Sequence, residues 1–156
     1  MKKNKITELL ISIILAELVG SLSALFSGSS FSLFRELNKP PFSPPGWIFP
    51  VVWTVLYALM GFSAYIIYSS DSKEKSRALV IYGAQLFVNF LWSIVFFRFE
   101  LLKLSVAVIL ILLTLVTIMI LKFRKISRTA AFLNIPYLIW IMYATWLNIG
   151  IAVLND

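Results

Sequence analysis

The chain has 156 residues, of which 60% are hydrophobic and 13% are charged, and its mean hydropathy of +0.91 excludes an ordinary soluble domain and indicates an integral membrane protein. Histidine and cysteine are both absent from the sequence, which removes imidazole bases, thiolate nucleophiles, disulfides and the usual metal ligands, so no metal site is expected. The net charge of +7 comes from basic residues placed between apolar runs, and we interpret it as a signal for membrane orientation rather than for a nucleic-acid partner.

The first apolar run, residues 7–26, is long enough to cross a bilayer core of roughly 30 Å. A cleaved signal peptide is the alternative, but Glu8, Glu17 and the length of the run favour a retained span. Glu17 lies near the middle of the run, where a carboxylate must face protein or water. The small residues spaced four apart on this run are Ala16, Gly20 and Ala24. Such a strip suits close helix packing, either inside the monomer or at a dimer face.

The first connection, residues 27–46, is long and rich in proline. Its prolines are Pro40, Pro41, Pro44 and Pro45. Because proline has no N–H and holds the preceding residue extended, residues 38–46 are predicted to form a stiff irregular segment. We interpret this connection as a lid over an internal pocket.

The second span is predicted over residues 47–68. Pro50 falls in its first turn, where a missing N–H is tolerated. Trp53 and Tyr57 are four residues apart, so they share one face of this helix.

The third span, residues 78–97, carries Gln85, Asn89 and Trp92 on one helix face. This polar and aromatic stripe indicates either hydrogen bonds that hold the bundle together or a face turned toward a ligand. The fourth span, residues 104–121, has few polar residues and is expected to face mostly lipid.

The fifth span is predicted over residues 129–154. Pro136 should kink it, because a proline frees a backbone carbonyl of the preceding turn. One helix face carries Trp140, Ala144 and Asn148. We interpret Trp146 as an anchor at the membrane interface.

The distribution of basic residues predicts the orientation. Five spans place the amino terminus and the turns at residues 69–77 and 122–128 on one side, which holds ten of the 14 Lys and Arg residues. These ten are Lys2, Lys3, Lys5, Lys73, Lys75, Arg77, Lys122, Arg124, Lys125 and Arg128. The positive-inside rule therefore predicts a cytoplasmic amino terminus for a multi-pass protein of the cell membrane.

Three sequence blocks are rich in aromatic residues: KPPFSPPGWIFPVVWTVLYALMG at 39–61, QLFVNFLWSIVFF at 85–97 and AAFLNIPYLIWIMYATWLN at 130–148. They resemble the tryptophan-rich sensory protein (TspO/MBR) family, the bacterial relatives of the mitochondrial translocator protein, also called the peripheral-type benzodiazepine receptor. The resemblance implies one all-α membrane domain over residues 1–156, a five-transmembrane-helix bundle that is often a homodimer. It also implies an internal pocket closed by the first loop.

The resemblance further implies non-covalent binding of porphyrins such as protoporphyrin IX, and light- and oxygen-dependent porphyrin degradation in some bacterial members. By position, the ligand-binding residues would be Trp53, Tyr57, Asn89, Trp92, Trp140 and Ala144. Trp53 and Trp140 are expected on facing walls, with a photochemical role. The charges of Arg35 and Lys39 at the lid suggest contacts with the propionates. Cholesterol binding is not expected, because the sequence from Leu147 onward lacks the required Tyr followed by Arg or Lys.

Three classes of function remain open at this stage. The first is a tetrapyrrole-binding protein in sensing or stress protection, with enzymatic porphyrin breakdown left undecided. The second is a transporter of porphyrins or lipids, although the five spans show no evident inverted repeat. The third is a ligand-free structural membrane subunit, against which the polar and aromatic stripe of the third span argues.

The orientation is testable with a reporter fused after Asp156 that is active only outside the cytoplasm. Because five spans separate this position from a cytoplasmic amino terminus, we expect an active reporter. The matched control carries the same reporter in the turn at residues 69–77, where it should be inactive. The reverse pattern would contradict the predicted orientation.

Overall fold

The computed structural model describes residues 4–28 and 30–155. Over these residues the protein is a bundle of α-helices with five segments that are long and apolar enough to cross a membrane. The segments are Lys5–Ser27, Ile48–Tyr68, Lys75–Arg98, Leu102–Ile126 and Arg128–Leu154. They confirm the predicted all-α fold with five transmembrane helices. Lys2 and Lys3, which contribute to the charge asymmetry of the sequence, lie outside the described residues.

The helices in chain order are α1 (Lys5–Ser27), α2 (Ser30–Glu36), α3 (Ile48–Tyr68), α4 (Lys75–Ser93), α5 (Leu102–Ile126), α6 (Arg128–Leu133) and α7 (Ile135–Leu154). A π-helical turn, Ile94–Arg98, continues α4 to the end of the third span. The sequence did not predict α2, which lies within the first connection. It also placed the end of the fourth span at residue 121, because hydropathy marks the apolar run, whereas the hydrogen-bonded helix continues into basic residues.

The fifth span is broken at Asn134, between α6 and α7. The break confirms the kink predicted from Pro136, which lies in the first turn of α7. The Asn134 side-chain amide donates to the Ala130 carbonyl at 2.9 Å and to Ser63 Oγ at 2.6 Å. Ser63 Oγ in turn donates to the Ala130 carbonyl at 2.8 Å. Polar side chains therefore bond to the backbone at the break and join it to α3.

The helices α1 and α3 cross with their backbones close together. A Cβ on Gly61 would lie 2.6 Å from Ile13 Cα, and Ser12 Oγ donates to the Gly61 carbonyl at 2.7 Å. Farther along α1, Ala16 is buried and Gly20 packs directly against the ring of Tyr57. These two members of the small-residue strip thus pack inside the monomer. A homodimer stays a prediction, for which the exposed remainder of α1 offers ample apolar surface.

The hydrophobic core lies along one face of α5. Its fully buried residues are Ile109, Leu112, Val116, Met119 and Phe123. Their spacing of three or four residues gives α5 a continuous apolar stripe, which packs between α4 and α7. The rest of the α5 surface is largely exposed, in line with a span that mostly faces lipid.

The irregular segment 38–46 is docked on α7. The Asn38 N–H donates to Asn155 Oδ1 at 2.9 Å, and Asn155 Nδ2 donates to the Asn38 carbonyl at 2.8 Å. Tyr143 donates from its hydroxyl to the Phe42 carbonyl at 2.8 Å. Pro40 packs so closely on Gly150 that a Cβ there would lie 2.7 Å from Pro40 Cγ. The segment is therefore irregular, as predicted, and held by both hydrogen bonds and packing.

The crossing of α1 and α3 generates a stability prediction. Gly61→Ala should lower the free energy of unfolding by about 1–3 kcal/mol, because the new methyl group meets rigid backbone atoms of α1. Gly83→Ala is the matched control, since a Cβ at Gly83 meets no atom within 4 Å. Thermal unfolding in detergent compares the variants. Equal stability of the two variants would contradict the close crossing.

Candidate ligand cavity

A cavity of about 280 Å³ lies between α1, α3 and α4, with one residue of α2 at its edge. Its aromatic lining residues are Phe34, Phe49, Trp53, Tyr57, Trp92 and Phe97. Its polar lining residues are Glu17, Ser21, Ser23, Thr54, Asn89 and Ser93. The lining thus combines a largely aromatic wall with a few polar groups, as ligand sites commonly do.

Trp53 is the centre of the aromatic wall. Its ring lies 5.6 Å from that of Tyr57, 6.4 Å from that of Trp92 and 6.2 Å from that of Tyr137, measured between centroids. The contact with Tyr57 confirms that the two residues share a face of their helix. Packed aromatic neighbours restrict the indole, so the wall is largely formed before any ligand arrives.

Tyr137 joins α7 to α4 by hydrogen bonds directly behind this wall. Its hydroxyl donates to Gln85 Oε1 at 2.7 Å and accepts from Asn89 Nδ2 at 3.0 Å. All three side chains are buried. Gln85 and Asn89 of the polar stripe on the third span therefore make interhelical hydrogen bonds, which is one of the two roles predicted for that stripe. Asn89 also borders the cavity, so it takes part in both arrangements.

Trp92 is oriented by a second polar chain. Its indole N–H donates to Asn148 Oδ1 at 2.8 Å, and Asn148 Nδ2 donates to Ser105 Oγ at 2.9 Å. The chain links α4, α7 and α5 inside the bundle. Because the N–H of Trp92 is bonded to protein, this residue offers a ligand its ring surface rather than a donor. Asn148 lies behind the lining and supports it.

Trp140 and Ala144 lie outside the cavity lining. The ring of Trp140 contacts Phe49 at 5.8 Å and Tyr143 at 5.5 Å, and its Nε1 is buried without a hydrogen-bond partner among the described residues. Ala144 is buried in the bundle. The structure thus differs from the expected arrangement, in which Trp53 and Trp140 stand on facing walls. The reason is that the inward face of α7 meets protein, and α7 contributes no lining residue.

Arg35 and Lys39 also lie outside the lining. Lys39 Nζ donates to the carbonyls of Phe34 and Leu37 at 2.7 and 2.9 Å, and to that of Arg35 at 3.2 Å. It therefore stabilises the carboxyl end of α2, where carbonyls lack partners within the helix. Arg35 is exposed. Glu17 is the one charged residue that the structure places in the lining.

Phe34 is a lining residue that the sequence analysis missed. It is buried, and its ring makes an edge contact with Phe49 at 5.0 Å, so α2 reaches the cavity through this side chain. The prolines of segment 38–46 do not line the cavity. Phe34 is one of several apolar residues in the first connection, and α2 is too short for periodicity to show which of them face inward.

The sequence is similar to those of several known proteins. The sequence profile of the TspO/MBR family matches residues 12–154. The chain is 34% identical to a protein of Archaeoglobus fulgidus named tryptophan-rich protein TspO, over 96% of this chain and 98% of that one. It is 37% identical to the tryptophan-rich sensory protein of Cereibacter sphaeroides, over 78% and 76% of the two chains. It is 35% identical to the translocator protein of Ovis aries, over 78% and 73%.

The hydrogen bonds of Tyr137 can be tested by stability. Tyr137→Phe removes one hydroxyl and leaves Gln85 and Asn89 without their shared partner, so the free energy of unfolding should fall by about 1 kcal/mol. Tyr65→Phe is the control, because the same atom is removed from a residue whose hydroxyl bonds to none of the described side chains. Denaturation in mixed micelles measures both variants. A Tyr137→Phe variant as stable as the control would contradict the network.

Proposed function

Because the chain belongs to the TspO/MBR family, we propose that it is a membrane protein that binds a tetrapyrrole of the protoporphyrin IX type in the cavity beside Trp53. The observation that carries the proposal is the central position of the Trp53 indole in the aromatic wall. A flat macrocycle can place its face against an indole, which contributes about 0.5–1.5 kcal/mol beyond burial of apolar area. Shape and burial supply most of the affinity.

The size of the cavity limits how such a ligand is held. A volume of about 280 Å³ lies just below the range of roughly 300–1,000 Å³ that is typical of ligand pockets. The macrocycle therefore places one edge inside the cavity, and its opposite edge extends beyond the aromatic wall. Phe34 and Phe49 are the side chains whose movement would widen the site, since they pack on each other at its border.

The charge in the cavity decides the orientation of the ligand. Glu17 would repel the carboxylates of a porphyrin, whereas it can accept hydrogen bonds from a neutral donor. We therefore assign the propionates to the open side, away from Glu17. Arg35 remains the candidate partner for them, because it is exposed, whereas Lys39 already bonds to carbonyls at the end of α2.

Light-dependent degradation is the finer part of the proposal. An indole in contact with a photoexcited macrocycle can be oxidised, and dioxygen takes part in the reaction. This chemistry needs no pair of acid and base residues. Trp53 and Trp92 line the cavity, so they are the indoles that meet the ligand. Trp140 is separated from the ligand by its contact with Phe49 and acts at most through that ring. The sensory name of the Cereibacter sphaeroides relative favours a role in sensing or stress protection.

Transport of a porphyrin or lipid is the second candidate function. The name of the Ovis aries relative, translocator protein, favours it. A binder releases its ligand on the side from which it came, whereas a transporter moves the ligand across the bilayer. Flux of protoporphyrin IX into sealed proteoliposomes therefore separates the two functions.

Three Trp→Phe variants test the ligand site. Trp53→Phe should weaken dark binding of protoporphyrin IX roughly two- to tenfold, because it removes the central indole, and should slow photodegradation more. Trp140→Phe should change both less, since Trp140 lies outside the lining. Trp146→Phe is the control and should change neither, because Trp146 is 43% exposed and stacks on Tyr143. Fluorescence quenching measures binding, and absorbance under fixed illumination measures decay.

Two outcomes would contradict the proposal. Parental affinity in the Trp53→Phe variant would exclude the cavity as the porphyrin site. Equal decay rates in all variants, after correction for bound ligand, would exclude the photochemical role of the indoles and leave a binding protein. Thermal unfolding of each variant without ligand shows whether any loss follows from instability.

A further inference from the structure

A second cavity, of about 510 Å³, lies at the end of α5, beside the start of α6. Its lining residues are Ile118, Leu121, Lys122, Arg124, Lys125 and Arg128. None of these residues lines the cavity beside Trp53. The second cavity is therefore a separate feature of the opposite end of the bundle.

The lining changes from apolar to basic along one face of α5. Ile118, Lys122 and Lys125 follow at spacings of four and three residues, so they lie above one another, with Leu121 beside them. The step from Ile118 to Lys125 rises about 10 Å along the helix axis. Ile118 is 38% exposed and Leu121 is 54% exposed. An apolar surface therefore leads directly into a group of cations.

The cations of this cavity have no acidic partner among residues 4–28 and 30–155. The sequence from residue 101 to residue 155 contains no Asp or Glu, so α5, α6 and α7 supply no counter-charge. Among the described residues, none of the four cations makes an ion pair, whereas Arg77 pairs with Glu74 in another turn. Cations held close together repel one another unless an anion lies between them. The positive-inside rule explains why the turn is basic but not why its cations line the same open cavity.

We propose that this cavity binds the phosphate headgroup of an anionic phospholipid, with an acyl chain lying along Ile118 and Leu121. The cations match the charge of the phosphate, and the exposed apolar pair matches the chain below it. The apolar run of the fourth span ends at Leu121, which places Lys122 and Lys125 at the level where lipid headgroups begin. A free phosphate would use the cations but would leave the apolar wall uncovered. This inference does not depend on porphyrin binding.

The test compares two double variants of the whole protein in nanodiscs that contain phosphatidylcholine and phosphatidylglycerol. Lys122→Gln with Lys125→Gln should reduce retained phosphatidylglycerol per protein roughly 30-fold, because each cation near an anionic lipid contributes about a factor of five. Lys73→Gln with Arg77→Gln is the control, since it removes two cations from the other turn on the same predicted side. That variant should change retention less than about twofold, because neither residue lines the cavity and Arg77 is already paired with Glu74. Mass spectrometry after extraction into detergent measures retained lipid.

Two further measurements distinguish a lipid site from a free-anion site and from diffuse surface charge. Lys122→Arg with Lys125→Arg should restore retention, which separates loss of charge from loss of fold. Inorganic phosphate at constant ionic strength should neither stabilise the protein in pure phosphatidylcholine nor displace phosphatidylglycerol. Stabilisation by inorganic phosphate alone would overturn the lipid assignment in favour of a free-anion site. Equal loss in the control variant would show diffuse surface charge and overturn the site itself.

Discussion

The requirement that buried polar groups find partners organises this bundle. In a membrane the helices gain little from exchanging lipid for protein contacts, so specific packing and hydrogen bonds decide how they pair. Tyr137 bonds to Gln85 and Asn89, and Trp92 bonds to Asn148. These bonds fix the position of α4 against α7, and the cavity wall rests on α4. The aromatic wall is therefore held in place by polar groups behind it, rather than by its own rings alone.

Much of the fold could be predicted from the sequence because a membrane span has a strong signal. Runs of about 20 apolar residues gave the five helices, and Pro136 gave the break in the last one. Helical spacing also gave the shared face of Trp53 and Tyr57. In each case the information is local: it lies in one helix and does not require knowledge of its neighbour.

The parts that the sequence left undecided depend on neighbouring helices. Periodicity places Trp140 on an inward face, but only the position of Phe49 decides whether that face meets the cavity or more protein. A ligand role for Lys39 was predicted from its charge alone, whereas its ammonium group bonds to carbonyls at the end of α2. This helix is too short to be predicted from hydrophobic periodicity. The sequence shows that Gln85 lies on a polar stripe, but not whether that stripe bonds to protein or to a ligand. The answer depends on the Tyr137 hydroxyl, which lies on another span. The photochemical and ligand-contact roles stay predictions.

The docking of segment 38–46 has a consequence for the assembly of the protein. Asn38 and Asn155 exchange two hydrogen bonds across 117 positions of the chain. When helices are inserted in the order of their synthesis, α1 and α3 are in the bilayer long before the far end of α7 exists to receive Asn38. The first connection can therefore adopt its native arrangement only as the last step of folding. A nascent chain that stalls before α7 would have α1, α3 and α4 in the bilayer, but the partners of Gln85, Asn89 and Trp92 on α7 would be missing and the connection would still be undocked.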